Sequence, residues 1–279
     1  MAIDVLAEIL TNRALSADYN VVEFAAPELA RLAQPGQFVM VKTSPGGDPL
    51  LRRPYSIFEI LRDANGRPSG LSILNKYVGA GSALIYAATP GHRLSLLGPL
   101  GTPWPAAEPG PARGSAPAEH WMVAGGVGLA PFVTLAETLA AAKRKTTLFY
   151  GGRSAGDLYF AGLFGDLGVD VILTTEDGSR GERGRVTAPL DRALADRGPT
   201  AVTLYACGPT PMMRAVAALG AAHHCRTFVS LEQVMGCGMG GCYSCVVRVD
   251  DGHDPHFVRS CLEGPVFDAS RIVWDALVH

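Results

Sequence analysis

Residues 120–142 read HWMVAGGVGLAPFVTLAETLAAA, an apolar run followed by a glycine turn and a helix-like segment. The turn has the form G-x-G-x-x-P, with Gly126, Gly128 and Pro131. Small residues let a pyrophosphate approach the backbone, and the N-terminus of the next helix supplies N–H donors. Proline suits the first turn of that helix, where its missing N–H costs no hydrogen bond. We predict a strand, a phosphate-binding turn and a helix; a tight turn that binds nothing is the alternative.

The same alternation of strand-like and helix-like segments continues downstream. The further strand-like segments are 146–152, 169–176 and 201–208. Strands that alternate with helices are typical of a parallel α/β sheet, and we predict such a domain over residues 120–227. The segment "YACGP" places Cys207 and Gly208 at the carboxyl edge of this sheet, where α/β folds bind ligands. A plain turn before the next helix is the alternative for these two residues.

Upstream, residues 1–102 contain short strand-like runs bounded by glycine, proline or asparagine. This rhythm predicts an antiparallel β-barrel or sandwich rather than a helical array. Residues 103–119 are dense in proline, glycine and alanine. They are predicted to be an exposed linker without fixed structure.

Two segments of the first domain carry polar groups in ligand-binding patterns. In "RRPYSIFEI", Arg53 and Tyr55 fall on one face of a strand and Ser56 on the other. An arginine can form paired hydrogen bonds to a phosphate, and an aromatic ring can stack on a flavin. In "YVGAGSAL", Gly81 and Ser82 precede a short helix-like run and suit a pyrophosphate. Taken alone, the first pattern is equally compatible with a strand that exposes Arg53 and Tyr55 to water.

The C-terminal segment, residues 228–279, holds four cysteines in a defined spacing. They are Cys237-x4-Cys242-x2-Cys245-x15-Cys261. Three close thiolates and a distant one match the plant-type 2Fe–2S arrangement. The interleaved glycines allow positive φ and point N–H groups at cluster sulfurs. Structural zinc, which usually takes two short cysteine pairs, is the main alternative; burial of unrelated cysteines is the other.

Composition excludes some classes of function. Lys and Arg number 24 and Asp and Glu 26, a net charge of −2, so no basic field suggests a nucleic-acid partner. No apolar run approaches the roughly 20 residues of a membrane span, and the N-terminus lacks the features of a signal peptide. A cytoplasmic protein is predicted. In that compartment six cysteines are more typical of metal binding or redox chemistry than of disulfides.

Taken together and in this order, the motifs R-x-Y-S, G-x-G-S, G-x-G-x-x-P and C-G-P resemble the ferredoxin–NADP reductase superfamily. The cysteine segment and "CLEGPVF" narrow the resemblance to the electron-transfer subunits of NAD-linked, two-subunit dihydroorotate dehydrogenases. The resemblance covers essentially the whole chain. It implies an FAD-binding barrel at 1–102, a linker at 103–119, an NAD-binding α/β domain at 120–227 and an iron–sulfur module at 228–279.

The resemblance also implies site residues. NAD would lie over Gly126 to Ala130 and reach toward Gly208 and Cys207, the candidate catalytic residue, while the four cysteines would ligate the cluster. The residues implied in FAD binding are Arg53, Pro54, Tyr55, Ser56, Leu74, Asn75, Lys76, Gly81 and Ser82.

A chain with all three sites would convert between hydride and single electrons, because nicotinamide exchanges hydride and an iron–sulfur cluster carries one electron at a time. The implied partner is an FMN-containing dihydroorotate dehydrogenase catalytic subunit, in a heterotetramer. Met235, Met239 and Tyr243 lie among the cysteines and either form an apolar contact surface for that subunit or pack inward. The alternatives are a reductase subunit of another NAD(P)H-linked complex, hydrogenase or ferredoxin-linked, and a metal-stabilised binding module.

Overall fold

The computed structural model describes residues 2–44, 46–105, 119–198, 201–252 and 254–277. The chain forms two compact units. The first unit consists of Met1–Pro103, Gln233–Val246 and Arg259–Pro265, and the second of Trp104–Glu232, Val247–Val258 and Val266–His279. The C-terminal segment therefore contributes residues to both units. Most of the predicted linker, residues 106–118, lies outside the described residues.

The first unit contains a closed six-stranded barrel in which every neighbouring pair is antiparallel. Its order is β1-β2-β5-β4-β3-β6. The strands are β1 Ile3–Ala14, β2 Tyr19–Ala25, β3 Phe38–Lys42, β4 Arg53–Arg62, β5 Pro68–Lys76 and β6 Arg93–Leu100, with helices α1 Pro27–Leu32 and α2 Ala80–Ala87. Phe24, Val39 and Ile57 are among the fully buried residues of its core. The predicted antiparallel barrel is confirmed.

The second unit is built on a seven-stranded sheet of order β10-β9-β8-β7-β11-β12-β15. Strands are numbered along the chain: β7 Glu119–Gly125, β8 Thr146–Gly152, β9 Asp170–Thr175, β10 Glu182–Arg183, β11 Val202–Cys207, β12 Arg226–Ser230 and β15 Val266–Asp268. The helices are α3 Val133–Ala141, α4 Ala161–Asp166, α5 Thr187–Asp196 and α6 Thr210–Ala222. All pairs are parallel except β12 with β15. The predicted parallel α/β sheet is confirmed, and an antiparallel edge strand from the C-terminal segment extends it.

Strand order places the glycine turn at a switch point of this sheet. From β7 the chain proceeds to β8 and β9 on one side, and β11 then returns to pair on the other side of β7. A crevice at the carboxyl ends of the strands forms where the order reverses in this way. One local detail differs from the sequence prediction. Pro131 lies in a 3-10 helix, Gly126–Phe132, and α3 begins only after it, at Val133.

The cysteine loop, residues 233–245, has no regular secondary structure. It leads into a two-stranded sheet of β13 Val246–Val249 and β14 His256–Arg259, followed by the short helix α7 Ser260–Glu263. Among the described residues, no helix is both long and apolar enough to cross a membrane.

Candidate cofactor sites

The cysteine loop packs on the barrel through its glycines. Gly238 and Gly240 have φ of +73° and +81°, a region that side-chain-bearing residues rarely adopt. A Cβ on Gly238 would lie 2.6 Å from Cγ of Met40 in β3. Both a left-handed backbone and a close approach to the barrel therefore require glycine here.

Backbone N–H groups of the loop point at sulfur. Met239 and Gly241 donate to Sγ of Cys237 at 3.3 and 3.2 Å, and the N–H of Cys237 donates to Sγ of Cys242 at 3.4 Å. The glycine content predicts this arrangement. Hydrogen bonds of this kind stabilise thiolates, and they are one of the factors that set the reduction potential of an iron–sulfur cluster.

The two outer thiols, Cys237 and Cys242, lie nearer the surface than the two inner thiols, Cys245 and Cys261, which are buried. Cys242 is exposed, and hydrogen bonds from the Ser244 hydroxyl and N–H and from Cys237 lower its pKa to about 6. Cys245 and Cys261 are buried in one apolar cluster with side chains of β3, among them Met40. Burial raises the pKa of Cys261 to about 12, and its hydrogen bond with Cys245 adds to the rise.

The residues fit a 2Fe–2S cluster. The thiols form two pairs, Cys237 with Cys242 and Cys245 with Cys261, and two irons ligated by four cysteines need two thiolates each. In the part of the chain that the structure describes, no three His, Cys, Asp or Glu side chains converge as ligands of a single ion. The buried hydroxyl of Ser260, beside Cys261, has no hydrogen-bond partner among the described residues. When bound there, the cluster would supply one-electron transfer.

The barrel brings together five of the predicted flavin residues, from three elements. The Tyr55 hydroxyl donates to Oδ1 of Asn75 at 2.9 Å, and Nδ2 of Asn75 donates to the Ser82 carbonyl at 3.1 Å. A Cβ on Gly81 would lie 2.8 Å from Nε of Arg53, so this glycine leaves room for the guanidinium. Burial raises the pKa of Tyr55 well above its usual range. The phenol therefore stays protonated and donates.

The N-terminus of α2 meets Arg53 at this point. The Ser82 hydroxyl accepts hydrogen bonds from the N–H groups of Val78 and Gly79, at 2.8 and 3.0 Å, and so fixes the first turn. A cation, a helix N-terminus and a glycine that lie together form a suitable binding site for the pyrophosphate of FAD. The residues therefore fit the group.

The other predicted flavin residues lie on the same strands. In β4, Pro54 pairs with Met40 and Ser56 with Phe38 of β3. In β5, Leu74 is buried, and the Lys76 ammonium lies 5.0 Å from the centre of the Tyr19 ring.

Two asparagines that sequence reasoning missed hold α2 on the barrel. Nδ2 of Asn20 donates to Oδ1 of Asn12 and to the Ile85 carbonyl, and Nδ2 of Asn12 donates to the Ala88 carbonyl. Asn20 also accepts a hydrogen bond from Asn75. Their only sequence signal is that asparagine is unusual inside strands.

The two predicted nucleotide turns contact each other through their backbones. A Cβ on Gly128 would lie 2.3 Å from the carbonyl oxygen of Cys207 and 2.7 Å from Cα of Gly208. Gly126 and Gly208 have φ of +54° and +153°. The carboxyl ends of β7 and β11 therefore form one glycine-lined edge, which suits a pyrophosphate.

Cys207 lies at this edge, paired in register with Ala124 and Ser230. Burial raises its pKa to about 12; the Glu232 charge adds to the rise, and a hydrogen bond with Ser230 opposes it. The thiol is therefore neutral at physiological pH. Ser230 and Glu232 were not singled out from the sequence, although "VSLE" ends a strand at the same edge.

Arg153, at the end of β8, forms an ion pair with Asp157. Its N–H donates to Oδ2 of Asp157 at 3.1 Å, and its Nε lies 3.4 Å from the same oxygen. The carboxylate is nearly buried, whereas most of the arginine side chain is exposed.

Comparison with known proteins gives two family matches. Residues 232–273 match the iron–sulfur cluster binding domain of dihydroorotate dehydrogenase B, and residues 122–218 match the oxidoreductase NAD-binding domain. A protein of Desulforamulus reducens named dihydroorotate dehydrogenase B (NAD(+)), electron transfer subunit, is 37% identical over 270 residues, 96% of this chain and 98% of that protein. A protein of the same name from Geobacillus thermodenitrificans is 35% identical over 88% of this chain and 89% of its own length.

Solved structures share the fold. A chain from the structure of an NADH-dependent reduced ferredoxin–NADP oxidoreductase, described in connection with flavin-based electron bifurcation, superposes with a TM-score of 0.81. It is 25% identical, and the match covers 98% of this chain and 91% of that chain. The ferredoxin reductase of carbazole 1,9a-dioxygenase, 21% identical with a TM-score of 0.57, matches 80% of this chain and 65% of its own and supports the fold alone.

Proposed function

The chain belongs to the family of electron transfer subunits of NAD-linked dihydroorotate dehydrogenase B, and on that premise we propose the division of its residues between three cofactors. Electrons from a dihydroorotate-oxidising subunit reach NAD by way of a 2Fe–2S cluster and FAD, a step of pyrimidine biosynthesis. Residues 1–102 hold FAD, residues 120–227 hold NAD, residues 228–279 hold the cluster, and 103–119 link the first two.

The observation that carries this proposal is the packing of the cysteine loop on the barrel. Met40 of β3 contacts Gly238 of the loop, and the same Met40 pairs in register with Pro54 of the flavin strand β4. One strand therefore separates the residues assigned to the cluster from those assigned to FAD. Flavins exchange electrons singly or in pairs, so a flavin can link a one-electron carrier to hydride transfer.

At the nucleotide edge, the chain's residues bind the dinucleotide and orient its nicotinamide. The N–H groups after Gly126 and Gly128 bind the pyrophosphate, and Cys207 contacts the nicotinamide as the catalytic residue. A neutral thiol there neither repels hydride nor carries a competing proton equilibrium near pH 7. The charge of the Glu232 carboxylate also raises the pKa of this thiol.

The pairing of Arg153 favours NAD over NADP. A free guanidinium beside the second strand of such a sheet can bind the 2′-phosphate of NADP. Here Arg153 is already paired with the nearly buried Asp157. A 2′-phosphate would have to compete with that carboxylate for the guanidinium.

We assign the partner to an apolar surface around Cys242. Met235 packs inward with 6% of its surface exposed, whereas Met239 and Tyr243 are 60% and 63% exposed. Arg259 joins them, because its guanidinium donates to the Gly240 carbonyl and lies 4.8 Å from the centre of the Tyr243 ring. A surface of this kind beside a redox group is typical of a protein contact. The partner is an FMN-containing catalytic subunit, in a cytoplasmic heterotetramer.

A second candidate function rests on one observation. The chain superposes over 98% of its length on a subunit from an NADH-dependent ferredoxin–NADP oxidoreductase structure. A reductase subunit of another complex would have the same three cofactors and a different partner.

The test uses the isolated full chain and the candidate catalytic subunit. We expect the isolated chain to contain FAD, iron and acid-labile sulfide, and to oxidise NADH, in preference to NADPH, with an artificial acceptor. We expect dihydroorotate to reduce NAD only when the catalytic subunit is added. Stoichiometric zinc without sulfide would indicate a metal-stabilised module instead. Failure to bind any dihydroorotate dehydrogenase subunit, with all cofactors present, would favour the second candidate.

A further inference from the structure

The hydroxyl of Ser244 lies between a backbone donor and a ligand sulfur. Oγ accepts a hydrogen bond from the Gly236 N–H at 2.8 Å and lies 3.2 Å from Sγ of Cys242. This contact is made by a side chain, whereas the hydrogen bonds to the Cys237 sulfur come from the backbone. A substitution of Ser244 can therefore remove it and leave the backbone donors to Cys237 in place.

Ligand chemistry fixes the direction of the contact. A cysteine that ligates iron is a thiolate and has no proton to donate. The Gly236 N–H donates to the Ser244 oxygen and cannot receive the hydroxyl proton. The Ser244 hydroxyl must then be the donor and Sγ of Cys242 the acceptor.

We propose that Ser244 is a positioning residue that raises the reduction potential of the cluster site by donating a hydrogen bond to the Cys242 thiolate. The proposal rests on the proposed function, because it requires the cluster. Reduction adds negative charge to the site, and a hydrogen bond to a charged acceptor strengthens with that charge. The reduced state therefore gains more from Ser244 than the oxidised state does.

Gly236 supports the same geometry. A Cβ at this position would lie 3.0 Å from Sγ of Cys242 and 3.4 Å from Oγ of Ser244. A methyl group there would separate the hydroxyl from the sulfur without altering either side chain. Gly241, in the same loop, has nothing within 4 Å of such a Cβ, and its N–H would remain to donate to Cys237.

The experiment is a redox titration of the purified full chain, followed by EPR of the reduced cluster, with iron and sulfide content measured for every variant. Ser244→Ala should lower the midpoint potential, by up to about tenfold in the equilibrium constant of reduction, or about 59 mV for one electron. Ser244→Thr, which keeps the hydroxyl, should restore most of the shift. Gly236→Ala should shift the potential downward, and Gly241→Ala should leave it unchanged.

A Ser244→Ala protein with full iron content and an unchanged potential would overturn the proposal, as would equal shifts in Ser244→Ala and Ser244→Thr. If Ser244→Ala assembles no cluster, Gly236→Ala decides, and the absence of a downward shift relative to Gly241→Ala overturns the proposal. A wild-type chain without iron and sulfide would instead refute the proposed function.

Discussion

Replacement of Gly128 by alanine tests whether the contact between β7 and β11 is the nucleotide edge. The added Cβ would lie 2.3 Å from the carbonyl oxygen of Cys207, 2.6 Å from its carbonyl carbon and 2.7 Å from Cα of Gly208. All three atoms belong to the backbone at the end of a central strand. No side-chain rotation can relieve the overlap, so one of the two turns must move.

Overpacking of this kind costs about 1–3 kcal/mol. If the displacement falls on the turn that binds the pyrophosphate, NADH affinity should fall by about fivefold to about a hundredfold, since about 1.4 kcal/mol is a factor of ten. FAD and iron content should not change, because the flavin and cysteine residues belong to the first unit.

The assay is the NADH concentration dependence of flavin reduction under anaerobic, single-turnover conditions. The matched control is Gly162→Ala in α4, where a Cβ has nothing within 4 Å. That variant should bind NADH normally and gain about 0.4–1 kcal/mol in free energy of unfolding. A Gly128→Ala protein with the wild-type NADH dependence would refute the assignment of this edge to the nucleotide.

Three further predictions concern the other residues. Arg53→Ala should weaken FAD retention by about 1.5–3 kcal/mol, the value of a hydrogen bond to a charged group; an unchanged FAD dissociation constant would mean that the guanidinium does not contact the phosphates. Cys242→Ser should lose iron and sulfide and keep FAD, measured on one sample; loss of both would contradict the separation of the two ligand sets. Because burial raises the pKa of Cys207 to about 12, the rate of flavin reduction by NADH should show no thiol ionisation between about pH 6 and about pH 9. An inflection in that range that disappears in Cys207→Ser would contradict this assignment.

The parts of the fold and of the candidate sites that the sequence predicts are those determined by residues close together in the chain or by a known cysteine spacing. Strand-like runs separated by turn residues are sufficient to predict the barrel, and alternation with helices is sufficient for the α/β sheet. The cysteine spacing predicts that Cys237, Cys242, Cys245 and Cys261 act together, although Cys261 lies on a separate element, α7. Each of these inferences depends on residues close in sequence or on a known spacing.

What sequence reasoning missed depends on contacts between distant segments. Nothing in the sequence around Gly238 indicates that it packs on Met40, about two hundred residues earlier. The antiparallel pairing of β15 with β12 is equally non-local. The hydrogen bond of the Arg153 N–H to Asp157 is local, but the sequence alone does not distinguish a phosphate-binding arginine from a surface arginine at this position.

The four thiols of the candidate cluster site differ in hydrogen bonding and burial between its outer pair, Cys237 and Cys242, and its inner pair, Cys245 and Cys261. Cys237 and Cys242 accept N–H and O–H hydrogen bonds and lie on the side with the exposed Met239 and Tyr243. Cys245, like Cys261, lies in the apolar cluster that includes residues of β3. Added negative charge is stabilised by donors and solvent and opposed by apolar burial, so it is better accommodated at the outer pair than at the inner pair. On the proposed assignment, the catalytic subunit would face the pair that better accommodates added charge, and the buried pair would lie toward β3, which pairs with β4.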